Sequence, residues 1–361
     1  MTAAPRVAIV HLGRRGALGA VRRLTTMRDL FAAAGATTHE VALTSECRLH
    51  PRDVMRPGLV DALRGDIPLE ALSWSTTSAV ERLHGIDPDV ILCSTLRAFS
   101  PAFASLGRPV VLDYVDQLSD SYRDRATAHR PGPTRLALRG LGRAMARVER
   151  RARGSALPTV AAGWSDAGAL HATWVPNTAT VVPRQPGASF DLGFVGSLSY
   201  PPNVEAVRRL ARLWPGLQAR RPGTTLLIAG ARPSDAVRAL ALQHGWTLRA
   251  DFDELGSVLS SMRVSVVPLT HASGIQCKVL DAAAHGVPQV VDAVALLGFA
   301  PGFPARVASD DTALVDACLE LLDDPAVAAS LGASGQAHVA AHYSVERWLP
   351  WAVDTLDASG R

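Results

Sequence analysis

The sequence predicts an α/β protein made of two tandem parallel-sheet halves. Short β-branched apolar runs alternate with helix-length amphipathic segments along the chain, the pattern of strands buried on both faces and joined by crossover helices. The alternation pauses at residues 183–189 (PRQPGAS), a polar segment bearing proline and glycine, and then starts again. The length of 361 residues exceeds one ordinary domain and suits two.

In the first half, residues 6–12 (RVAIVHL) read as a buried strand, followed by a turn punctuated by Gly13, Gly16 and Gly19. A helical pattern runs through Leu24, Met27, Leu30 and Phe31 until Gly35 ends it. Residues 38–44, 90–94 and 110–115 are the next strands, and residues 134–153 form a long arginine-rich amphipathic helix. Strands at 159–162 and 179–182 close this half, with turn chemistry at Pro176-Asn177 between them.

The second half repeats the cycle. Residues 191–195 are a strand, 196–203 a loop and 204–217 a helix. A strand at 224–229 leads into Gly230-Ala231-Arg232 and a helix from Ser234. Residues 263–268 are a strand, the segment 273–281 (SGIQCKVLD) opens a helix, and 289–291 start another strand. Ligands of such sheets bind at the carboxyl ends of strands, so each of these loops borders a candidate site.

Composition narrows the function classes. A hydrophobic content of 48% with 19% charged residues describes a packed globular chain. The net charge of +4 is modest, and neither zinc-finger spacing nor an aromatic-basic RNA signature is present, so no nucleic-acid partner is expected. The arginine pairs Arg14-Arg15, Arg22-Arg23 and Arg150-Arg151 suit either an anionic surface or a solvated helix face. Cys47, Cys93, Cys277 and Cys318 show no paired spacing, which fits a reduced, cytoplasmic setting. No charged and apolar leader is read at the start, and no apolar run reaches the roughly 18 residues a membrane span needs.

Lys278 is the only lysine in a chain whose Lys+Arg total is 37. A compact ammonium after a glycine turn, at the start of a helix, suits an anion; the alternative is a surface lysine left by drift. Four loops converge on one sheet edge: 196–203, 230–232, 249–254 and 273–278. They offer the glycine amides of Gly196, Gly230 and Gly274, the hydroxyls of Ser197 and Ser273, Ile275, the Gln276 amide, and the carboxylates Asp251 and Asp281. Amides and a helix N-terminus favour a diphosphate, and carboxylates favour sugar hydroxyls, which is the inventory for a nucleotide-sugar. Arg232 either reaches the same diphosphate or is a solvated arginine. Asp251-Phe252-Asp253 spells a metal-binding Asp-x-Asp, but tandem parallel sheets argue against the fold that uses it, so no metal is expected.

These segments resemble a family. Residues 194–203 (FVGSLSYPPN), 226–230 (LLIAG) and 268–291, with Val175-Pro176-Asn177, Asp324-Pro325 and His342-Tyr343-Ser344, are similar to family-4-type GT-B glycosyltransferases over nearly the whole chain. The resemblance implies a GT-B fold: two Rossmann-like domains facing a central cleft, residues 1–183 binding the acceptor and 184–340 the donor. Residues 341–361 would form a C-terminal helix returning to the first domain, with Trp348 and Trp351 packing there. In that family a Glu-x7-Glu motif binds sugar and ribose hydroxyls, and a subgroup carries Gly-Ile-x-x-Lys, as at 274–278. Here the first position is Ser273 and the second Asp281: an aspartate can still accept from ribose hydroxyls, or is a helix-surface carboxylate, while serine supplies no sugar carboxylate. Asp251, Asp253 or Glu254 substitutes for it, the sugar is unusual, or transfer has been lost.

In the first half Asp113 and Asp116 follow a strand; they orient an acceptor, stabilise positive charge at the sugar, or cap the loop. Asp113 is assigned to the acceptor with His11 and Gly16, and Asp116 to catalysis with Lys278 and Arg232. His271 meets the donor or caps its turn. No HExxH motif or triad spacing supports a hydrolase.

The expected function is sugar transfer from a nucleoside-diphosphate sugar to an acceptor hydroxyl, with retention and without metal or other cofactor. The acceptor is a small molecule or is lipid-linked, with peripheral contact at the inner membrane face permitted by the arginine-rich helix. A nucleotide-sugar epimerase or pseudo-glycosyltransferase of the same fold, and a non-catalytic nucleotide-sugar binder, are the alternatives.

Overall fold

The computed structural model describes residues 4–12, 18–43, 64–65, 67–68, 71, 76–128 and 130–359. Gly13, Gly16, Arg14-Arg15 and Cys47 lie outside them. The chain divides into two units: Met1–Asn177 with Val345–Arg361, and Thr178–Ser344.

The first unit is built on strands β1 (Arg6–Leu12), β2 (Thr37–Leu43), β3 (Val90–Ser94), β4 (Val110–Asp113), β5 (Thr159–Ala161) and β6 (Thr173–Trp174). They form one sheet in the order β2-β1-β3-β4-β5-β6, every pairing parallel. Alternation along β1 decides what each face holds. Val7 and Ile9 join Met27, Leu30 and Phe31 on one face; Ala8 and Val10 join Leu83 and Phe103 on the other. Each of these side chains larger than alanine, removed fully from water, contributes about 1.5–3 kcal/mol. The Val345–Asp357 helix adds Ala352 and Leu356 to the Val7 face, where Trp351 meets Phe31 at 5.6 Å between ring centroids. Trp348 stands edge-on to Trp174 at 5.2 Å.

The second unit carries β7 (Phe190–Val195), β8 (Leu226–Gly230), β9 (Thr247–Ala250), β10 (Met262–Val267), β11 (Gln289–Asp292) and β12 (Arg306–Ala308). Their order is β12-β11-β10-β7-β8-β9, again parallel throughout. The order reverses between β7 and β10, the switch point where adjacent loops diverge and leave room for a ligand.

Four elements depart from the sequence reading. The strand read at 110–115 stops at Asp113, because Val115 turns with a left-handed φ of 63° and its N–H bonds to Asp113 Oδ1 at 3.1 Å. Residues 179–182 form no strand. Ala179 N–H donates to the Tyr343 carbonyl and Val182 N–H to that of Ala284, which ties this stretch to the second unit, ahead of the linker read at 183–189. Two-residue β6 is too short to show a period. Segment 249–254, read wholly as loop, begins inside β9.

Candidate functional site

The loops at the second unit's switch point interlock through backbone alone. Gly230, at φ 156°, lies against the Gly196 carbonyl so closely that a Cβ would sit 1.6 Å from its oxygen. Only glycine fits there. Leu198 N–H donates to the Ala231 carbonyl (2.9 Å) and Ser234 N–H to that of Leu198 (3.2 Å), joining the loops after β7 and β8. Ser234 then caps the Asp235–His244 helix by accepting from Val237 N–H.

Asn203 links this floor to the lysine. It lies 5% exposed on the Pro201–Arg220 helix; its Nδ2 donates to the Ser197 carbonyl at 2.9 Å, and its Oδ1 accepts from Lys278 Nζ. A Cβ at Gly196 would meet Asn203 Nδ2 at 2.7 Å, so a second glycine is fixed by the same amide. The Lys278 ammonium also stands 4.9 Å from the centroid of the Phe194 ring, a cation–π contact. Among the described residues no carboxylate pairs with it. Burial pushes its pKa down to about 8, so it is still mostly charged at pH 7. A half-buried ammonium, held by an amide oxygen and a ring face and lacking a counter-ion, is prepared for an incoming anion.

Lys278 sits in the first turn of the Cys277–Ala284 helix, whose cap residue Gln276 makes no side-chain cap bond. Gln276 instead donates from Nε2 to the Ser273 carbonyl (3.0 Å), closing its own turn, so that amide N–H is engaged within the loop. Ile275 is buried, so its side chain belongs to the core and the loop presents its backbone. Gly274 turns the chain at φ 61°, with Gly298 packed against its carbonyl. Ser273 and Asp281 are half-buried, Asp281 one turn beyond Lys278 on the same helix. Arg232 and Asp251 are both exposed and both left-handed, at φ 52° and 47°, and Asp251 Oδ1 accepts from Arg232 N–H at 3.0 Å. Asp251 therefore fixes the Arg232 turn. Exposed His271 has its Nδ1 3.0 Å from Thr270 Oγ1.

The first unit's carboxyl edge has another chemistry. Asp113 is fully buried with both oxygens on Arg23, at 2.8 Å from Nε and 2.9 Å from Nη2. Arg23 also donates to the Val175 carbonyl at 2.6 Å. Asp113 thus belongs to a buried structural ion pair, which removes it from the acceptor set; the arginine that satisfies it lies 90 residues away. His11, half-buried, has Nδ1 3.2 Å from the Leu12 carbonyl and Nε2 3.5 Å from Glu40. Gly16 lies outside the described residues.

Asp116 is half-buried, and burial lifts its pKa to about 6; Arg97 opposes the rise, while Glu149 and Asp113 add to it. Asp166, on the Trp164–Leu170 helix after β5, is also raised to about 6, by burial first and by the Asp116 charge second. Glu149, 2% exposed, accepts from Ser119 N–H at 2.9 Å and is raised by burial. The sequence reading missed Asp166, Glu149, Asn203 and Phe194. Asn203 and Phe194 stood within the 194–203 segment, but their partner is remote in sequence. Among the described residues no group of three or more His, Cys, Asp or Glu is placed to hold a metal ion.

Known proteins share this architecture. Over 157 residues the chain is 30% identical to a Corynebacterium glutamicum GDP-mannose-dependent monoacylated α-(1-6)-phosphatidylinositol monomannoside mannosyltransferase. That match spans 38% of this chain and 40% of the relative. The solved structure of Anabaena HepE with UDP-glucose superposes with a TM-score of 0.67 at 13% identity, covering 98% of this chain and 99% of that one. A glycosyltransferase from Rickettsia africae superposes with a TM-score of 0.64 at 10% identity, covering 99% and 98%. Residues 189–324 match the family model described as glycosyl transferases group 1. That segment contains the whole Gly196–Asn203–Lys278 arrangement, and the chain around it has the two-domain α/β GT-B fold.

Proposed function

We propose that the protein is a glycosyltransferase that takes its sugar from a nucleoside diphosphate. The observation that carries this reading is Lys278: an ammonium without a carboxylate partner among the described residues, held by Asn203 and Phe194 where the glycine-only positions 196 and 230 meet at the switch point. Lys278, with amides of the 273–277 turn, would take the diphosphate and stabilise the charge that grows on it as the glycosidic bond breaks. Asp281 would hold ribose hydroxyls. Arg232 is stationed by Asp251 on the neighbouring loop, from which a flexible exposed side chain can reach a phosphate.

Transfer would proceed with retention and without metal, the acceptor hydroxyl passing its proton to the departing phosphate. On the acceptor side Asp116 is the group suited to stabilise positive charge at the sugar or to orient a hydroxyl, since its raised pKa lets it exchange a proton near pH 6. The Corynebacterium relative is named for GDP-mannose and a phosphatidylinositol acceptor, and the HepE complex contains UDP-glucose; both support a nucleotide-sugar donor, and the first supports a lipid-borne acceptor. No described helix is long and apolar enough to cross a membrane.

Ser273, standing where a sugar-binding carboxylate is usual in the resembling family, favours a second reading in which nucleotide-sugar is bound but not transferred. Incubation with UDP- and GDP-sugars, with and without lipid and small-molecule acceptors, separates the two. A glycosylated product with one donor supports transfer. Sugar-nucleotide binding with no product and no donor hydrolysis overturns it.

A further inference from the structure

The Pro133–Arg153 helix divides its surface into two opposed faces. Leu138, Gly142, Met145, Val148 and Glu149 are buried. Arg139, Arg143, Arg147 and Arg150 are exposed, and at about 100° per residue they fall within an arc of roughly 80°. Leu136, 67% exposed, lies inside that arc. The helix's single acid, Glu149, points to the interior and bonds Ser119 N–H.

Several arginines elsewhere on the surface are neutralised. Arg208 and Arg212 pair with Glu205, Arg220 with Asp316, Arg221 with Asp323 and Arg306 with Glu320. Arg139, Arg143, Arg147 and Arg150 have no ion pair among the described residues. Like charges spaced i,i+4, as at Arg139, Arg143 and Arg147, oppose the helix that carries them. A solvated face would interleave acids, as the Glu205 helix does. This one concentrates cations about an apolar residue instead.

We propose that this stripe docks the protein on an anionic lipid bilayer surface. Charge complementarity selects the partner: lipid phosphates lie in a plane, and a straight helix presents its guanidinium groups in a row about 17 Å long to meet them. Leu136 suits a bilayer, because it can enter the acyl boundary while the arginine stems lie along the interface and their heads stay at the phosphates. A nucleic acid offers no apolar layer for that leucine. This surface is separate from the switch-point site, and its occupancy is measured without nucleotide, so its outcome is independent of sugar transfer.

The test is co-sedimentation of the full-length protein with vesicles of phosphatidylcholine alone and of phosphatidylcholine mixed with phosphatidylglycerol. The protein should partition onto the phosphatidylglycerol vesicles only and be released by salt. The triple variant Arg139→Gln/Arg143→Gln/Arg147→Gln should lower partitioning roughly a hundredfold, while Leu136→Ser lowers it severalfold and leaves the salt dependence unchanged. Arg208→Gln/Arg212→Gln should leave partitioning unaltered, and circular dichroism should give all variants the wild-type helical signal. Equal partitioning of wild type and triple variant, or no binding to phosphatidylglycerol vesicles, overturns the proposal. So does displacement of the protein by a short RNA duplex more readily than by soluble phosphatidylglycerol micelles.

Discussion

The two units share a parallel-sheet plan but equip their carboxyl edges oppositely. At the second unit's edge, Gly230, forced by the Gly196 backbone, and Gly196, forced by the Asn203 amide, make a bare floor, and above it sits one ammonium with no counter-charge among the described residues. At the first unit's edge, carboxyl groups gather at Asp116, Asp166 and Glu149, and burial raises all three toward their neutral forms. The first arrangement waits for an anion; the second keeps its protons to a higher pH than free carboxyl groups do. The fold supplies two loop-lined edges, and the few charged groups placed there decide what each can bind.

That contrast can be broken most severely through the parts that only support it. Gly230→Ala would drive a Cβ into the Gly196 carbonyl and should cost about 3–5 kcal/mol or prevent the second unit from folding. Gly216→Ala, on an exposed helix position with open space around it, should instead stabilise by about 0.5–1 kcal/mol. Urea unfolding of the two variants checks both signs. In the first unit Asp113→Asn would leave the Arg23 guanidinium buried without its carboxylate and should cost about 3–5 kcal/mol. A loss under 1 kcal/mol would show that the pair is not the anchor described.

Subtler changes sharpen the electrostatic difference. Asp116 and Asp166 have folded pKa values near 6 against an ordinary 3.8. Between about pH 4 and pH 6 the unfolded chain has released these protons while the folded chain retains them, so stability falls as pH rises through that window. Asp166→Asn should remove part of the fall and raise the unfolding free energy, read by urea titration, at pH 7.5 more than at pH 4.5, by about 1–3 kcal/mol of difference. An equal effect at both pH values would contradict the buried-acid description.

How much was legible in the sequence follows from the same distinction. Runs such as Val90–Ser94, buried at every position, announce themselves because both faces need apolar side chains. The edge strands β6, β9 and β12 are two to four residues long and carry no such signal. Val115 reads as strand by its side chain, yet its backbone turns. At the site, Lys278 stood out as the only lysine and Gly196 and Gly230 as turn residues. Asn203, which joins them, lies 75 residues from the lysine it holds, and no local pattern marks that contact. Asp113 misled for the same reason: a strand-end aspartate looks available until the arginine from a distant helix is seen to occupy it.

The central claim is that Lys278 is kept as an anion site at the expense of the unliganded fold. Its lowered pKa means that the folded chain holds this charge unwillingly; stability should rise as pH climbs from about 8 toward the ordinary lysine value of 10.5. The decisive measurement is calorimetric titration of UDP and GDP into wild type and Lys278→Met at pH 7, paired with thermal unfolding of both without nucleotide. The account predicts that one nucleotide binds wild type, that the variant binds it about 1.5–3 kcal/mol more weakly, and that the unliganded variant is as stable as wild type or up to about 2 kcal/mol more so. Equal nucleotide affinity in both proteins, or a variant destabilised by more than about 1 kcal/mol, would make Lys278 a structural residue and contradict the account.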